Sequence, residues 1–243
     1  MRKVAQRQFF GRYLGRSRYE PVLTLQRQLL AARQRGEISD TVLFVEHEPV
    51  ITLGRGTKPG HLLASQETLQ SLGVDLVTVE RGGDITLHAP GQLVCYPILD
   101  LRPDRCDVRR YVTDLANSMR RVLADFDLDA GLVNGKVGLW LDRASPSKWQ
   151  GASAAVELAK IGAIGVRLSR WTTMHGYALN LSTNLQLFNL IVPCGISEYP
   201  VTSVQQVRGE SPSVLDVASR AFQHIADVFD ADAVELLIES PPS

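Results

Sequence analysis

One thiol of this chain sits where a side chain is offered rather than packed. Cys194 lies in the run Ile-Val-Pro-Cys-Gly-Ile, residues 191–196. Proline has no N–H to give to a helix or a ladder, and glycine is a common turn residue, so a thiol between them belongs on a turn that a substrate can approach. That setting suits a nucleophile. A free thiol with a pKa of about 8.5 is only a few per cent thiolate at neutral pH, so it needs a cation or a base beside it. The sequence offers Lys160, His88 and His175. Lysine is scarce, with Lys3, Lys58, Lys136, Lys148 and Lys160 set among many arginines. Lys160 opens an otherwise apolar run, Lys-Ile-Gly-Ala-Ile-Gly-Val-Arg-Leu, and an amine beside a thiol can trade a proton with it. Each residue also has a plainer reading: a strand-end lysine in solvent, a hydrogen-bonded structural histidine, a buried thiol that packs as a small hydrophobe.

Other chemistries leave no trace. Cys95, Cys106 and Cys194 are odd in number and form no Cys-x-x-Cys, which excludes a disulfide framework or a zinc knuckle. The histidines have no metal-ligand spacing to a cysteine, so no metal is expected. There is no phosphate loop of the GxxxxGK[ST] type, no GxSxG elbow and no HExxH. Gly-Arg-Gly-Thr-Lys-Pro-Gly, residues 54–60, has the composition of a phosphate cradle or of a plain turn, and no helix pattern follows it. Arg81-Gly82-Gly83 allows positive φ or close backbone approach.

These residues must be held by the elements around them. The spacing of Val22, Leu25, Leu29 and Leu30 predicts an amphipathic helix over 21–35. Strands are expected at 41–46, 50–53, 74–79, in a short run after the Gly82-Gly83 turn, at 92–99 and at 136–141. Residues 160–168 and 171–181 read as a strand pair joined at Ser169-Arg170. Helices are expected over 107–126, capped by Asp107, and over 213–229, capped by Ser213. Residues 143–155 read as an exposed loop, longer than expected so close to Lys160. The strands come in adjacent groups with few helices between them. That predicts an α/β (α+β) fold, a mixed or antiparallel sheet with packed helices, rather than a doubly wound one. No repeat and no linker divides the chain, so residues 1–243 are expected to form one domain.

Composition narrows the classes further. The chain has 243 residues, 44% of them hydrophobic and 21% charged, enough for a large core. Basic and acidic residues balance at 26 each, so no global field recruits nucleic acid or an anionic membrane. No apolar run nears 18 residues, which excludes a transmembrane helix. Gln6, Arg7, Gln8, Gly11 and Arg12 break up any signal-peptide core. A cytoplasmic protein is expected, with a basic organelle-targeting stretch left open.

Taken together, four segments resemble the octanoyl-acyl carrier protein:protein octanoyltransferases: EHEPVITLGR (46–55), RGGDITLHAPGQLVCYPILDL (81–101), KIGAIGVRLSRWTTMHGYALNL (160–181) and PCGI (193–196). Arg81, Gly82, Gly83, Thr86, His88, Gly91, Gln92 and Tyr96 meet the pattern RGG-x-x-T-x-H-x-x-G-Q-x-x-x-Y. The resemblance runs from about residue 10 to 229. It implies the fold shared with biotin and lipoate protein ligase catalytic domains. It also implies a reaction that moves an octanoyl group from acyl carrier protein to a lysine of a lipoyl domain, the first step of endogenous protein lipoylation. By motif match the catalytic pair is Cys194, which carries an acyl-thioester, and Lys160. The implied substrate-binding residues are Arg81, Gly82, Gly83, Asp84, Ile85, Thr86, Leu87 and His88, then Ala163, Ile164 and Gly165, then His175, Gly176, Tyr177 and Ala178.

The implied donor is octanoyl-acyl carrier protein. The implied acceptors are lipoyl domains of 2-oxoacid dehydrogenase complexes and the glycine cleavage H protein. No cofactor is implied, because exchange between thioesters is near thermoneutral. Backbone N–H groups near Gly195 or Gly83 are candidates to hold the oxyanion. Arg55, Arg81, Arg167 and Arg170 are candidates for a basic patch facing an acidic carrier, with solvated ion pairs as the plainer reading. Two other readings stay open: an ATP-dependent lipoate or biotin ligase on the same fold, and a non-catalytic protein that binds lipoyl domains or acyl carrier protein.

Overall fold

A computed structural model describes residues 7–192 and 198–240. Its frame is a mixed sheet. The strands, in chain order, are β1 (Arg7–Ser17), β2 (Asp40–His47), β3 (Val50–Leu53), β4 (Asp75–Thr78), β5 (Ile85–His88), β6 (Gln92–Ile98), β7 (Gly131–Val133), β8 (Lys136–Asp142), β9 (Leu158–Ser169), β10 (Thr172–Asn180) and β11 (Ala231–Ile238). Among the described residues, eight of them form one sheet in the order β11-β1-β2-β6-β10-β9-β8-β7. The β11-β1-β2 edge is parallel and the rest is antiparallel. A small sheet, β4-β3-β5, stands beside it.

The helices cover both faces of the large sheet. Helices α3 (Val108–Ala124) and α5 (Val214–Val228) pack over one face with Leu115, Met119, Val217, Phe222 and Ile225 in its core. Helix α1 (Tyr19–Arg35) packs over the other, with Val22, Leu23 and Leu30 against Val45, Val94 and Met174. Short helices α2 (Gln66–Ser71) and α4 (Val204–Arg208) and a 3-10 turn, Leu185–Leu190, complete the elements among the described residues. The small sheet has its own apolar cluster, built on Ile51, Leu69, Ile85 and Leu87.

Local chemistry accounts for most boundaries. Asp107 caps α3, its side chain accepting from Arg109 N at 2.8 Å and Arg110 N at 3.1 Å. Ser213 caps α5 by accepting from Asp216 N at 3.1 Å. Helix α1 begins at Tyr19, two residues before the expected start, because Pro21 fits a first turn where its missing N–H is no loss. Gly36, at φ 75°, ends it.

The β9-β10 hairpin turns at Arg170-Trp171, not at Ser169-Arg170. Both turn residues have positive φ, 49° and 64°, as a two-residue hairpin requires. Strands β1 and β11, α2 and α4 have no counterpart in the sequence reading. The loop at 143–155 is present and is fastened at its base. Asp142 accepts from Ala144 N, Val156 N and Glu157 N at 2.9–3.0 Å.

Candidate active site

Lys160 is not at a strand end in solvent. It lies inside β9, only 6% exposed, opposite Trp140 of β8, with its Nζ 5.6 Å from the centre of the indole ring. Room for it comes from Gly138. A Cβ there would overlap Lys160 Cε and lie 3.1 Å from Nζ, so only glycine leaves the space. The β8-β9 register shifts between Leu139 and Trp140, beside this position. The backbone of Lys160 is tied as well. Its N–H donates to Pro200 O at 2.9 Å, and its O accepts from Thr202 N at 2.8 Å. The chain that follows Cys194 therefore runs alongside Lys160. Cys194 and Gly195 themselves lie outside the described residues.

Between Lys160 and helix α1 runs a narrow apolar space. A cavity of about 20 Å³ is lined by Lys160, Gln92, Asn180, Phe188 and Val201 among others. It adjoins a second, of about 40 Å³, across Thr86, Ala163 and Ala178, which line both. Small side chains at Ala163, Gly165, Gly176 and Ala178 keep this space open. Gly176 has no alternative, since a Cβ would overlap Cys95 O of the neighbouring strand.

Most of the implied substrate-binding residues meet here. Arg81, Gly83, Asp84, Thr86, His88, Ala163, Ile164, Gly165, His175, Gly176, Tyr177 and Ala178 line the second cavity. Three do not. Ile85 and Leu87 alternate to the far face of β5 and are fully buried in the core of the small sheet. Gly82 borders an open apolar groove outside, of about 560 Å³, with Val108, Val137 and Val166.

Arg81 is buried, not a surface cation. Its guanidinium donates to Gly82 O (3.1 Å), Asp84 O (2.8 Å), Thr52 O (2.9 Å) and Thr52 Oγ1 (2.8 Å), and so holds the glycine turn in shape. This removes it from any carrier-facing patch. Of the other candidates, Arg167 pairs with Glu80 at 2.9 Å, Arg170 donates to Gln34 Oε1, and Arg55 is exposed.

The 54–57 turn zips onto the same glycine turn. Gly54 N, Arg55 N and Gly56 N donate to Asp84 O, Arg81 O and Gly83 O at 2.9–3.3 Å. Those N–H groups are engaged, so this segment is a turn and not a phosphate cradle.

Three buried histidines surround the inner end, and burial drives each toward the neutral form. His47, in β2, is pushed down to about 3 by burial and by His88. His88 falls to about 4 through burial and Arg81. His175 falls to about 3 through burial, then Arg81 and Arg167. His47 Nδ1–H donates to Ser17 O at 3.1 Å, since a carbonyl only accepts, which leaves Nε2 to accept from Tyr96 O–H at 2.9 Å.

His88 Nδ1 meets Gln92 Oε1 at 2.7 Å, and Gln92 Nε2 donates to Asn180 Oδ1 at 2.9 Å. Asn180 Nδ2 donates to Thr202 O at 3.0 Å. A buried chain of amides thus links the histidine motif to the segment at Thr202 that is bonded to Lys160. His175 is held at φ 59°, with its N–H on Gln26 Oε1 of α1. Burial raises the Tyr19 phenol to about 12.

Sequence reasoning missed Tyr19, His47, Tyr96, Gln92 and Asn180 as parts of this site. Gln92 and Tyr96 were visible as fixed members of the motif. Tyr19 and His47 carried no local signal, because they arrive from α1 and β2. Cys95 is a buried thiol in the core that packs as a small hydrophobe, and burial pushes its pKa up. Cys106 is exposed. Among the described residues, no group of three His, Cys, Asp or Glu side chains is placed to hold a metal ion.

This fold has known counterparts. The chain belongs to the family described as the lipoyl protein ligase A/B catalytic domain, which it matches over residues 18–226. Within it, octanoyltransferases stand near. The octanoyltransferase of Myxococcus xanthus is 44% identical over 222 residues, which span 91% of this chain and 60% of that protein. That of Chloroflexus aurantiacus is 45% identical over 218 residues, 89% of this chain and 92% of the other.

Solved structures show the same fold at far lower identity. A bipartite lipoate protein ligase from Thermoplasma acidophilum aligns with a TM-score of 0.69 at 14% identity, over 94% of this chain and 86% of that one. A biotin protein ligase from Aquifex aeolicus, solved with biotin and ATP, aligns at 0.51 and 12% identity, over 90% and 69% of the two chains.

Proposed function

We propose that this chain is an octanoyltransferase that moves an octanoyl group from acyl carrier protein to a lysine of a lipoyl domain through an acyl-thioester on Cys194. The observation that carries it is Lys160. A buried amine lines an apolar cavity, and its backbone is bonded to Pro200 and Thr202 in the stretch that follows Cys194 in the chain. Relatives named octanoyltransferase at 44–45% identity support the same reaction.

The chemistry runs in two exchanges. The Lys160 amine takes the Cys194 proton, and the thiolate sulfur attacks the thioester carbon. The carbon–sulfur bond to the donor's thiol breaks, and the departing thiolate recovers a proton from the Lys160 ammonium. In the second exchange the acceptor lysine, as a free amine, attacks the acyl-enzyme. The new carbon–nitrogen bond displaces the Cys194 thiolate, and the surplus proton on nitrogen passes to Lys160. Neither exchange needs ATP. The acyl tail lies in the slot lined by Thr86, Ala163, Gly165 and Ala178, where burial of methylenes favours binding.

The whole of residues 1–243 acts as one catalytic domain in the cytoplasm. Among the described residues, no helix is long and apolar enough to cross a membrane. The acceptors we propose are lipoyl domains of 2-oxoacid dehydrogenase complexes and the glycine cleavage H protein.

An intact-mass measurement after mixing with octanoyl-acyl carrier protein, without ATP or acceptor, tests this. One octanoyl adduct is expected. It should map to Cys194, be released by hydroxylamine and be absent from Cys194→Ala. No adduct until ATP and a free acid are added would overturn the reading in favour of a ligase.

A further inference from the structure

Lys160 lines one end of the acyl cavity, and the cavity has two conceivable far ends. One is the cluster of rings beneath helix α1. The other is the open groove beside Gly82, which would let a long tail run out to solvent. Gly83, Asp84, Ile164 and Gly165 line both the cavity and the groove, so this second route is barred only by one thin wall. Gly82 N donates to Val166 O at 2.9 Å, which binds the glycine turn to β9. Arg81 fills the remaining gap so tightly that a Cβ at Gly165 would lie 2.9 Å from Arg81 Cδ and 3.2 Å from Gly82 O.

The first end is closed by rings that are themselves locked. Tyr19 lies 2% exposed and Tyr96 3% exposed, with their hydroxyls hydrogen-bonded to each other. Tyr96 also donates to His47, which is anchored on Ser17 O. Tyr19 stacks on His88 with ring centres 6.1 Å apart and planes 8° from parallel, and His88 is fixed by Gln92. A tail that reaches these rings has nowhere to go without breaking buried hydrogen bonds.

We propose that Tyr19 and Tyr96 form the far wall of the acyl cavity and set the longest acyl chain the enzyme accepts. This rests on the reading that the tail lies in the cavity with its carbonyl at Lys160. Each methylene that finds apolar room tightens binding by about fourfold, and one that meets the wall adds nothing. Tyr19 and Tyr96 are thus specificity-determining residues, contributed by α1 and β6 and remote from the reacting atoms.

The test is calorimetric binding of hexanoate, octanoate, decanoate and dodecanoate to the purified protein. It is paired with competition between C8 and C10 acyl-carrier-protein donors. In the wild type, affinity should rise about fourfold per methylene up to octanoate and then stop, with decanoate and dodecanoate no tighter. Tyr19→Ala should make decanoate bind tenfold or more tighter relative to octanoate, and shift donor choice the same way. Val94→Ala, a smaller opening at the same end of the cavity, should shift both in that direction by less.

An affinity that climbs unbroken through dodecanoate in the wild type would overturn the wall and open the groove route. Unchanged chain preference in both folded variants would overturn it too. Absence of binding by every alkanoate would overturn the acyl-cavity reading beneath it, which separates the two failures. The wild-type series decides even if a variant does not fold.

Discussion

Gly138→Ala is a one-methyl test of how Lys160 is placed. At φ 132° the position lies in a region that L side chains rarely adopt, so any Cβ is strained there by about 1–3 kcal/mol. The added carbon would also overlap Lys160 Cε and sit 2.6 Å from Gly162 O. The Gly162 carbonyl belongs to a paired strand and cannot retreat, so the lysine must move. A displacement near 1 Å at a reacting group costs on the order of 100-fold in rate.

A stability loss of about 2 kcal/mol lowers Tm by about 4–8 °C in a chain of this size. The protein should therefore stay folded at 25 °C while kcat for octanoyl transfer to a lipoyl domain falls by about two orders of magnitude. Gly36→Ala is the control. It has φ 75° and nothing within 4 Å of its would-be Cβ, at the far end of α1. It should lose stability without losing turnover. A folded Gly138→Ala with kcat within twofold of wild type would refute the claim that Gly138 shapes the Lys160 pocket.

Two further outcomes follow from the site. Lys160→Arg keeps a cation but supplies no base near neutral pH, so transfer should drop by about 10²–10⁴-fold, read from single-turnover formation of the acyl-enzyme. Near-normal turnover would confine Lys160 to an electrostatic role. The second concerns acid.

His47, His88 and His175 are held neutral in the fold, at about 3, 4 and 3, against about 6.5 in the unfolded chain. The unfolded state then binds more protons as pH drops. Their contribution to stability is whole above about pH 6.5 and is lost as pH falls toward 4, at up to about 1.4 kcal/mol per unit for each. Urea unfolding at pH 7.5 and 5.0 measures it, and equal midpoints would show that these rings are not buried neutral.

The buried chain from His88 through Gln92 and Asn180 to Thr202 explains why the histidine motif and the lysine strand belong to one device. It spans three strands and ends on the segment that flanks Lys160. The ring cluster at the inner end and the amide chain at the outer end leave the middle of the cavity apolar. A slot of this kind distinguishes an alkyl tail from a polar ligand by what its walls cannot hydrate.

Much of this was legible in residue order because it depends on neighbours along the chain. Asp107 and Ser213 announced α3 and α5, since a cap is a contact with the next turn. The alternation of β5 and β6 and the apolar periodicity of α1 were visible for the same reason. The turn at Arg170-Trp171 fell one residue from its expected place, because two positive φ values there are imposed by strand twist and not by residue type. Strands β1 and β11 escaped because they form a parallel ladder with each other across more than two hundred residues, a pairing no local pattern signals.

Lys160, Thr86, His88, Ala163 and Ala178 were named as site residues by the family resemblance. Only the tertiary structure decided which of them face a common space. A period of two sends Ile85 and Leu87 away from it while Thr86 and His88 enter, and which side is inward depends on what the sheet packs against. Burial likewise turned Arg81 from a surface cation into a clasp for the glycine turn, and Lys160 from a strand end into a walled amine. Tyr19 and His47 joined the site because the α1 and β2 cores press them there. The sequence by itself determined the fold family, and by its resemblance named the groups we propose as reactive. Their depth, their partners and the length of the space between them arise from long-range packing, which no local pattern encodes.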